Sequence, residues 1–326
     1  MPSRPPGHLY VCRLLTDDAM ATLAALDRPV VVGGEQPPSR AELLRDVAGA
    51  AAVVCTLTER IDAEVLEAAG PQLRVVANTA VGFDNMDVPA ARQRGVVVTN
   101  TPGVLDRATA DLTLGLMLAA ARRIAEGDRF LRSRTPWIWG PRMMVGLDVS
   151  AGATLGIVGF GRIGRAVARR ARAFDMRVVA TPTRAELTAD ERAATEFLPL
   201  PELLPTSDIV SLHCPLTPET RHLISTGTLA LMKPGAILVN TARGGVVDTA
   251  ALVTALRTGQ IGGAALDVFE DEPEADPRLL ALEQVVLTPH LGSAATATRS
   301  EMCQLSVANA VAVLAGRPPI TPVPDP

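Results

Sequence analysis

Short, valine-rich apolar runs recur along the whole chain and alternate with segments whose apolar positions return every three or four residues. In the N-terminal third the runs are LYVCRLL, PVVVGG, AAVVCTL, LRVVANTA and GVVVTNT, with helices expected between them, for example over 41–47 and 63–68. Near-continuous Val runs mark strands buried on both faces, which implies a parallel sheet covered by helices. After Pro102 and Gly103 the period lengthens and predicts an apolar helix over about 109–124, followed by an arm of different composition, RSRTPWIWGPRMMVGLDVSAG. A second alternating series then runs ATLGIVGF, MRVVATP, TEFLPL, DIVSLHCP, AILVNTA, AALDVF and VVLTPH. Such a series suits a doubly wound sheet, whose ligands bind beyond the carboxyl ends of the strands. A last helix over about 294–314 precedes the tail GRPPITPVPDP, too short for a domain, so this helix is expected to return to the N-terminal half.

Composition narrows the classes. A length of 326 residues allows two domains, each with its own core. The most apolar stretch, LTLGLMLAAA, meets Arg122 after ten residues, whereas a membrane span needs about 20. The N-terminus MPSRPPGHLYVCRLL has no apolar core followed by a cleavage site, so a cytoplasmic protein is expected. Cys12, Cys55, Cys214 and Cys303 lack metal-binding spacing, which predicts reduced, buried thiols and no metal. Net charge is −4, and the densest basic stretch spaces Arg165, Arg169 and Arg172 as a solvated helix face, so nucleic acid is not an expected partner. A single lysine, Lys233 in MKPG, argues against Schiff-base chemistry. Trp137 and Trp139, the only tryptophans, both lie in the arm. Their rings either fold back on their own domain or reach a partner subunit or the rim of a site.

GIVGFGRIG supplies Gly159, Gly161 and Gly164 in GxGxxG spacing, between a strand and an amphipathic helix. That is the context of a dinucleotide site: a tight turn, close approach to a pyrophosphate, and helix packing, with the helix N-terminus facing the phosphates. NAD sites usually carry a carboxylate about 20 residues on, at the end of the next strand. Here TPTR has none before Glu186, and Arg184 with the hydroxyls of Thr181 and Thr183 favours a 2′-phosphate, hence NADP with NAD as the alternative.

The later strand ends carry His213, Thr241, Arg243, Asp267 and His290. Hydride transfer to a carbonyl needs a proton donor, for which His is suited, and a guanidinium that can grip an adjacent carboxylate. Arg243 has small neighbours, Ala242 and Gly244, that let a ligand come close. A carboxylate must hold the imidazole, and six acids between Asp267 and Asp276 are candidates among which the pattern does not choose.

The segments NTAVGFDNMDV, GVVVTNTPGVLDRATAD, TLGIVGFGRIG, LHCPLTPET, LMKPGAILVNTARGGVVD, GAALDVFEDEP and VVLTPHLGSA occur in the order and spacing of the D-2-hydroxyacid dehydrogenases. The chain resembles that family over nearly its whole length, and within it the glyoxylate and hydroxypyruvate reductases. The resemblance implies an α/β fold of two doubly wound parallel-sheet domains with the active site in the cleft between them. One is a flavodoxin-like outer substrate domain, 1–103 plus 293–326. The other is an inserted Rossmann NAD(P)-binding domain, 104–292, with a dimerisation arm at about 127–150. The catalytic set would fall on Arg243, Glu272 and His290. His290 would exchange the proton, Glu272 would hold its imidazolium, and Arg243 would bind the substrate carboxylate and carbonyl. Substrate contacts would also fall on Leu57 and on the backbone N–H groups of Val81 and Gly82. Cofactor contacts would fall on Thr109, Gly161, Arg162, Ile163, His213, Pro215, Thr220, Thr241, Ala242, Asp267, His290 and Gly292, with Asp267 meeting the nicotinamide amide. Trp139 resembles a tryptophan that reaches the partner's active site in a homodimer.

Relatives that prefer NADPH often have Ser or Asn followed by Arg at the end of the second strand; this chain has Pro182 and Thr183 there, with Arg184 one position later. Val81 stands where phosphite dehydrogenase has lysine, which argues against phosphite oxidation. The loop CTLTERID, which in relatives lies over the substrate, carries no charge before Glu59. The expected activity is therefore NAD(P)H-dependent reduction of a small 2-keto acid with a weakly polar side chain, such as glyoxylate or hydroxypyruvate. A 2-ketogluconate reductase is the alternative substrate reading. A dinucleotide-sensing, corepressor-like binding protein is the alternative of another class.

Overall fold

A computed structural model describes residues 7–324. The proline-rich stretch ahead of Gly7 and the tail's final Asp325 and Pro326 lie outside the described residues. Two compact units emerge: one reaches Leu105 and resumes at Ala294, the other spans Asp106–Ser293.

The first unit holds β1 (His8–Val11), β2 (Val30–Val32), β3 (Ala50–Cys55), β4 (Val75–Asn78) and β5 (Val97–Thr99). They form a parallel sheet in the order β2-β1-β3-β4-β5, the flavodoxin-like arrangement. Polar residues start its helices. Ser39 and Glu42 form a capping box ahead of Arg40–Val47, and Asp62 accepts from Val65 N ahead of Ala63–Ala69. The terminal helix Thr296–Leu314 packs on β3, β4, β5 and the helix Asp17–Ala24, burying Val307 and Ala310 against Leu9, Val54 and Val75.

The second unit holds β6 (Thr154–Val158), β7 (Arg177–Ala180), β8 (Glu196–Phe197), β9 (Ile209–Leu212), β10 (Ile237–Asn240), β11 (Gly263–Leu266) and β12 (Val285–Leu287). All pair in parallel, in the order β12-β11-β10-β9-β6-β7-β8. The strand order reverses between β6 and β9, the switch point at which dinucleotides bind in such sheets.

The long apolar helix differs from expectation. It spans Asp106–Ala121, and a separate helix runs Ile124–Arg132. Arg123 sits between them in the left-handed region at φ 53°, its guanidinium paired with both carboxylate oxygens of Glu126. The Ala121 carbonyl is taken by Leu147 N at 2.8 Å, from the returning end of the arm. Gly146 lets the arm come that close, since a Cβ there would lie 2.1 Å from the same oxygen. The tryptophans are not folded back on their own unit: Trp137, Ile138 and Trp139 are 53, 91 and 77% exposed. All four cysteines are free and buried, and burial pushes the Cys214 thiol up to about 11. No helix among the described residues is long and apolar enough to cross a membrane.

Candidate active site

The glycine turn divides its work among three positions. Gly159 has φ 95°, and a Cβ there would meet Cys214 N at 2.5 Å, so only glycine lets the turn lie against the end of β9. A Cβ on Gly164 would lie 2.3 Å from Gly159 O, which enforces close packing of helix on turn. Gly161 faces open space and leads the helix Arg162–Arg172, whose first turn has no side-chain cap. Arg162 is exposed, while Ile163 packs on the core. Behind the turn, His213 Nε2 lies 2.8 Å from Ser211 Oγ, and its Nδ1 is buried without a partner. Burial lowers this imidazole to about 3, so it stays neutral near pH 7. Open space over Gly161, uncapped N–H groups and an unpaired buried ring nitrogen fit a dinucleotide.

Beyond β7, Thr181 Oγ1 accepts from Gly159 N at 3.0 Å and so belongs to the turn. Thr183 Oγ1 accepts from Ala185 N, and Arg184 is exposed with no partner among the described residues. After β9, Pro215 O accepts from Thr220 Oγ1 at 2.6 Å, fixing the loop that both residues occupy.

The ends of β10, β11 and β12 interlock. Asn240, buried at the end of β10, donates to Arg243 O at 2.9 Å and accepts from Ala242 N at 3.0 Å, fixing the turn that presents Arg243. A Cβ on Gly244 would lie 1.8 Å from Phe269 C, so the Arg243 turn lies directly against the backbone of the acidic loop. The Asp267 carboxylate, fully buried, accepts from Thr288 Oγ1 (2.6 Å), Leu291 N (2.7 Å) and Gly292 N (2.8 Å). Its carbonyl accepts from His290 N at 2.9 Å. The whole His290 turn therefore hangs on Asp267, which leaves about one of the carboxylate's four acceptor directions for any other donor. Thr109 Oγ1 donates to Gly292 O at 3.1 Å, and Thr113 shares a hydrogen bond of 2.9 Å with Thr241. The helix Asp106–Ala121 is thereby tied to both turns.

His290 lies at φ 53°, with Nδ1 2.8 Å from Glu272 Oε2. Since a carboxylate accepts, Nδ1 carries the proton. Nε2 has no partner among the described residues. Glu272 Oε1 accepts from Phe269 N at 3.0 Å. Burial pushes the Glu272 carboxyl up, but the bond and charge of His290, the Phe269 amide and nearby Arg243 outweigh it and hold the carboxyl below its ordinary value. Of the six acids, Glu272 is thus the one that meets His290, while Glu270 meets His222 at 2.5 Å.

In the other unit, Leu57 is half-buried on a turn folded around Glu59, whose buried carboxylate accepts from Thr56 N, Thr56 Oγ1 and Thr58 Oγ1. The one acid of that loop's start is turned inward. Val81 and Gly82 follow β4, both half-buried. Among the described residues no group of three or more His, Cys, Asp or Glu side chains could hold a metal ion. Residue patterning had passed over Asn240 and Thr113; the available signal was a polar Asn closing an otherwise apolar strand, ILVN.

The family described as D-isomer specific 2-hydroxyacid dehydrogenase, NAD binding domain, matches residues 114–292. A glyoxylate reductase of Thermococcus onnurineus is 51% identical over 88% of this chain and 86% of its own. One of Pyrococcus furiosus is 46% identical over 96% and 94%. Among solved structures, a Thermus thermophilus protein superposes with a TM-score of 0.90 at 48% identity, covering 97% of this chain and 100% of that one. An NADPH-dependent glyoxylate/hydroxypyruvate reductase from Sinorhizobium meliloti, in complex with NADP and malonate, gives 0.85 at 32% identity, covering 98% and 97%.

Proposed function

We propose that this chain, which belongs to the D-isomer specific 2-hydroxyacid dehydrogenase family, reduces glyoxylate and similarly small 2-keto acids to the D-2-hydroxy acid with NADPH. The observation that carries this reading is the His290–Glu272 pair, set at the end of β12 in the unit that also holds the glycine turn and Arg243.

The reduced nicotinamide, when bound, supplies the hydride. His290 delivers the proton from Nε2 to the carbonyl oxygen and takes it back in the oxidative direction. Glu272, ionised because its carboxyl is held low, fixes the tautomer through Nδ1 and stabilises the imidazolium. Arg243 binds the substrate carboxylate and polarises the carbonyl. Thr109, Gly159, Gly161, Arg162, Ile163, Gly164, His213, Pro215, Thr220, Thr241, Ala242, Asp267 and Gly292 hold the cofactor. Thr183 and Arg184 take its 2′-phosphate, a role supported by the exposed, unpaired guanidinium and by the NADP bound to the S. meliloti enzyme. The outer unit binds substrate through Leu57 and the Val81 and Gly82 amides. The inward turn of Glu59 supports a small, weakly polar substrate. The exposed Trp137, Ile138 and Trp139 support a homodimer built through the arm, with Trp139 reaching the partner's site. The enzyme works in the cytoplasm.

Initial rates on a panel of 2-keto acids with NADPH and NADH test the proposal. Turnover is expected to be best with glyoxylate or hydroxypyruvate and NADPH; tight cofactor binding with no turnover of any keto acid would leave the dinucleotide-sensor reading. Arg184→Ala should raise KM for NADPH by about tenfold, the size of one charge-assisted contact, and leave NADH unchanged. Equal effects on both cofactors would refute the 2′-phosphate assignment.

A further inference from the structure

Three successive carbonyls just past β4 are pinned from within the outer unit. Ala80 O accepts from Thr101 N at 2.9 Å, Val81 O from Asn100 Nδ2 at 2.7 Å, and Gly82 O from Asn78 Nδ2 at 2.8 Å. In a trans peptide the C=O of one residue and the N–H of the next point in opposite directions. Drawing these oxygens onto the ends of β4 and β5 therefore turns the N–H groups of Val81, Gly82 and Phe83 away from the sheet. None of those N–H groups donates within the described chain, and all three residues are half-buried. Consecutive amides facing one way form a concavity suited to an anion.

The pinning side chains are built in. Asn78 closes β4 and is 0% exposed, while Asn100 follows β5 and is 6% exposed. Their orientation is set by what they meet, because a carbonyl oxygen only accepts and so must face Nδ2. Asn78 Nδ2 also lies 3.3 Å from Asn85 Oδ1, and Asn85 Nδ2 donates to Thr56 O and Glu59 O at 3.0 and 2.9 Å. The amide turn and the Leu57 turn thus share one frame.

We propose that Asn78 and Asn100 are positioning residues for the substrate carboxylate, and that the Phe83 amide joins those of Val81 and Gly82 as its third donor. This rests on the 2-keto acid reductase reading above. The side chains act through the backbone, so the effect belongs to binding of the carboxylate and not to the hydride or proton step.

The test uses the full chain with oxamate, a carboxylate-bearing analogue of the keto acid, in the presence of NADP(H). Asn100→Asp and Asn78→Asp keep the shape and replace the donor by an acceptor. Each should raise KM for glyoxylate and Ki for oxamate by about 10- to 100-fold, as expected when a hydrogen bond is replaced by two facing acceptors. kcat at saturation and the Kd for NADPH should stay within about threefold. In the unsubstituted protein labelled with 15N at Val, Gly and Phe, oxamate should shift the amide signals of Val81, Gly82 and Phe83 together, a readout independent of how the variants fold. Oxamate binding with an unmoved Phe83 amide, or folded variants with unchanged KM and Ki, would overturn this inference alone. Absence of both oxamate binding and turnover in the unsubstituted protein would overturn it together with the activity it rests on.

Discussion

Two histidine–glutamate pairs stand side by side in the inner unit, His290 with Glu272 and His222 with Glu270, their acids two positions apart on one loop. Both imidazoles sit on left-handed backbone, at φ 53° and 51°. Both carboxyls are desolvated yet held below their ordinary value by the facing histidine. The difference lies in what surrounds each pair. His222 bonds its acid through Nε2, and Glu270 also accepts from Thr249 Oγ1, so the pair staples a loop to the start of the helix Thr249–Thr258. His290 uses Nδ1, leaves the outer Nε2 open, and hangs on buried Asp267 at a strand end, with Arg243 close enough to act on its partner. A short His–Glu contact is therefore not enough to mark a proton donor; the rigid anchor on Asp267 and the neighbouring Arg243 are what separate the two.

That contrast can be sharpened from either side. Glu272→Gln removes the charge behind the imidazole and should lower kcat by about 10- to 100-fold, a share of what positioned acid–base groups contribute. Glu270→Gln, assayed alongside it, should leave kcat within about twofold. Comparable losses in both variants would make the two pairs functionally alike.

A third imidazole gives the contrast a pH axis. The His213 pKa in the folded state, about 3, lies below its ordinary value of 6.5. Between those values the unfolded chain binds the proton and the folded chain does not, so stability falls as pH falls through that window. The slope is at most about 1.4 kcal/mol per pH unit. Glu272, depressed in the folded state, adds a contribution present above its ordinary 4.5 and lost as pH falls through its lowered value. Thermal unfolding from pH 7 to 4 should therefore show a shallower acid decline in His213→Gln than in the unsubstituted protein; an unchanged slope would mean that His213 titrates as an exposed group does. The smallest effect belongs to His222→Asn. That partly exposed pair contributes about 0–1 kcal/mol, so Tm should move by no more than a few degrees and kcat hardly at all.

Much of this was legible in the residues. Both parallel sheets follow from Val-rich runs closed by turn residues, and the glycine triplet with its flanking strand and helix is a local signal. The helix break at Arg123 was not legible, because its cause is the return of the arm at Gly146–Leu147, a contact between segments far apart in sequence. For the same reason spacing could not choose among six acids; that choice depends on how the loop after β11 folds toward β12, and only the family resemblance named Glu272. The buried amides were missed too, though VVAN and ILVN share a signature: each apolar strand closes on an asparagine that pins the turn after it.

The central claim is that His290, and not His222, is the proton donor. Steady-state reduction of glyoxylate by NADPH should be measured for His290→Ala and His222→Ala together, with NADPH binding followed by fluorescence. His290→Ala is expected to lower kcat by about 10²- to 10⁴-fold with the Kd for NADPH retained, while His222→Ala keeps its rate. Equal rates in the two variants, or a His290→Ala protein that turns over at the unsubstituted rate, would contradict it.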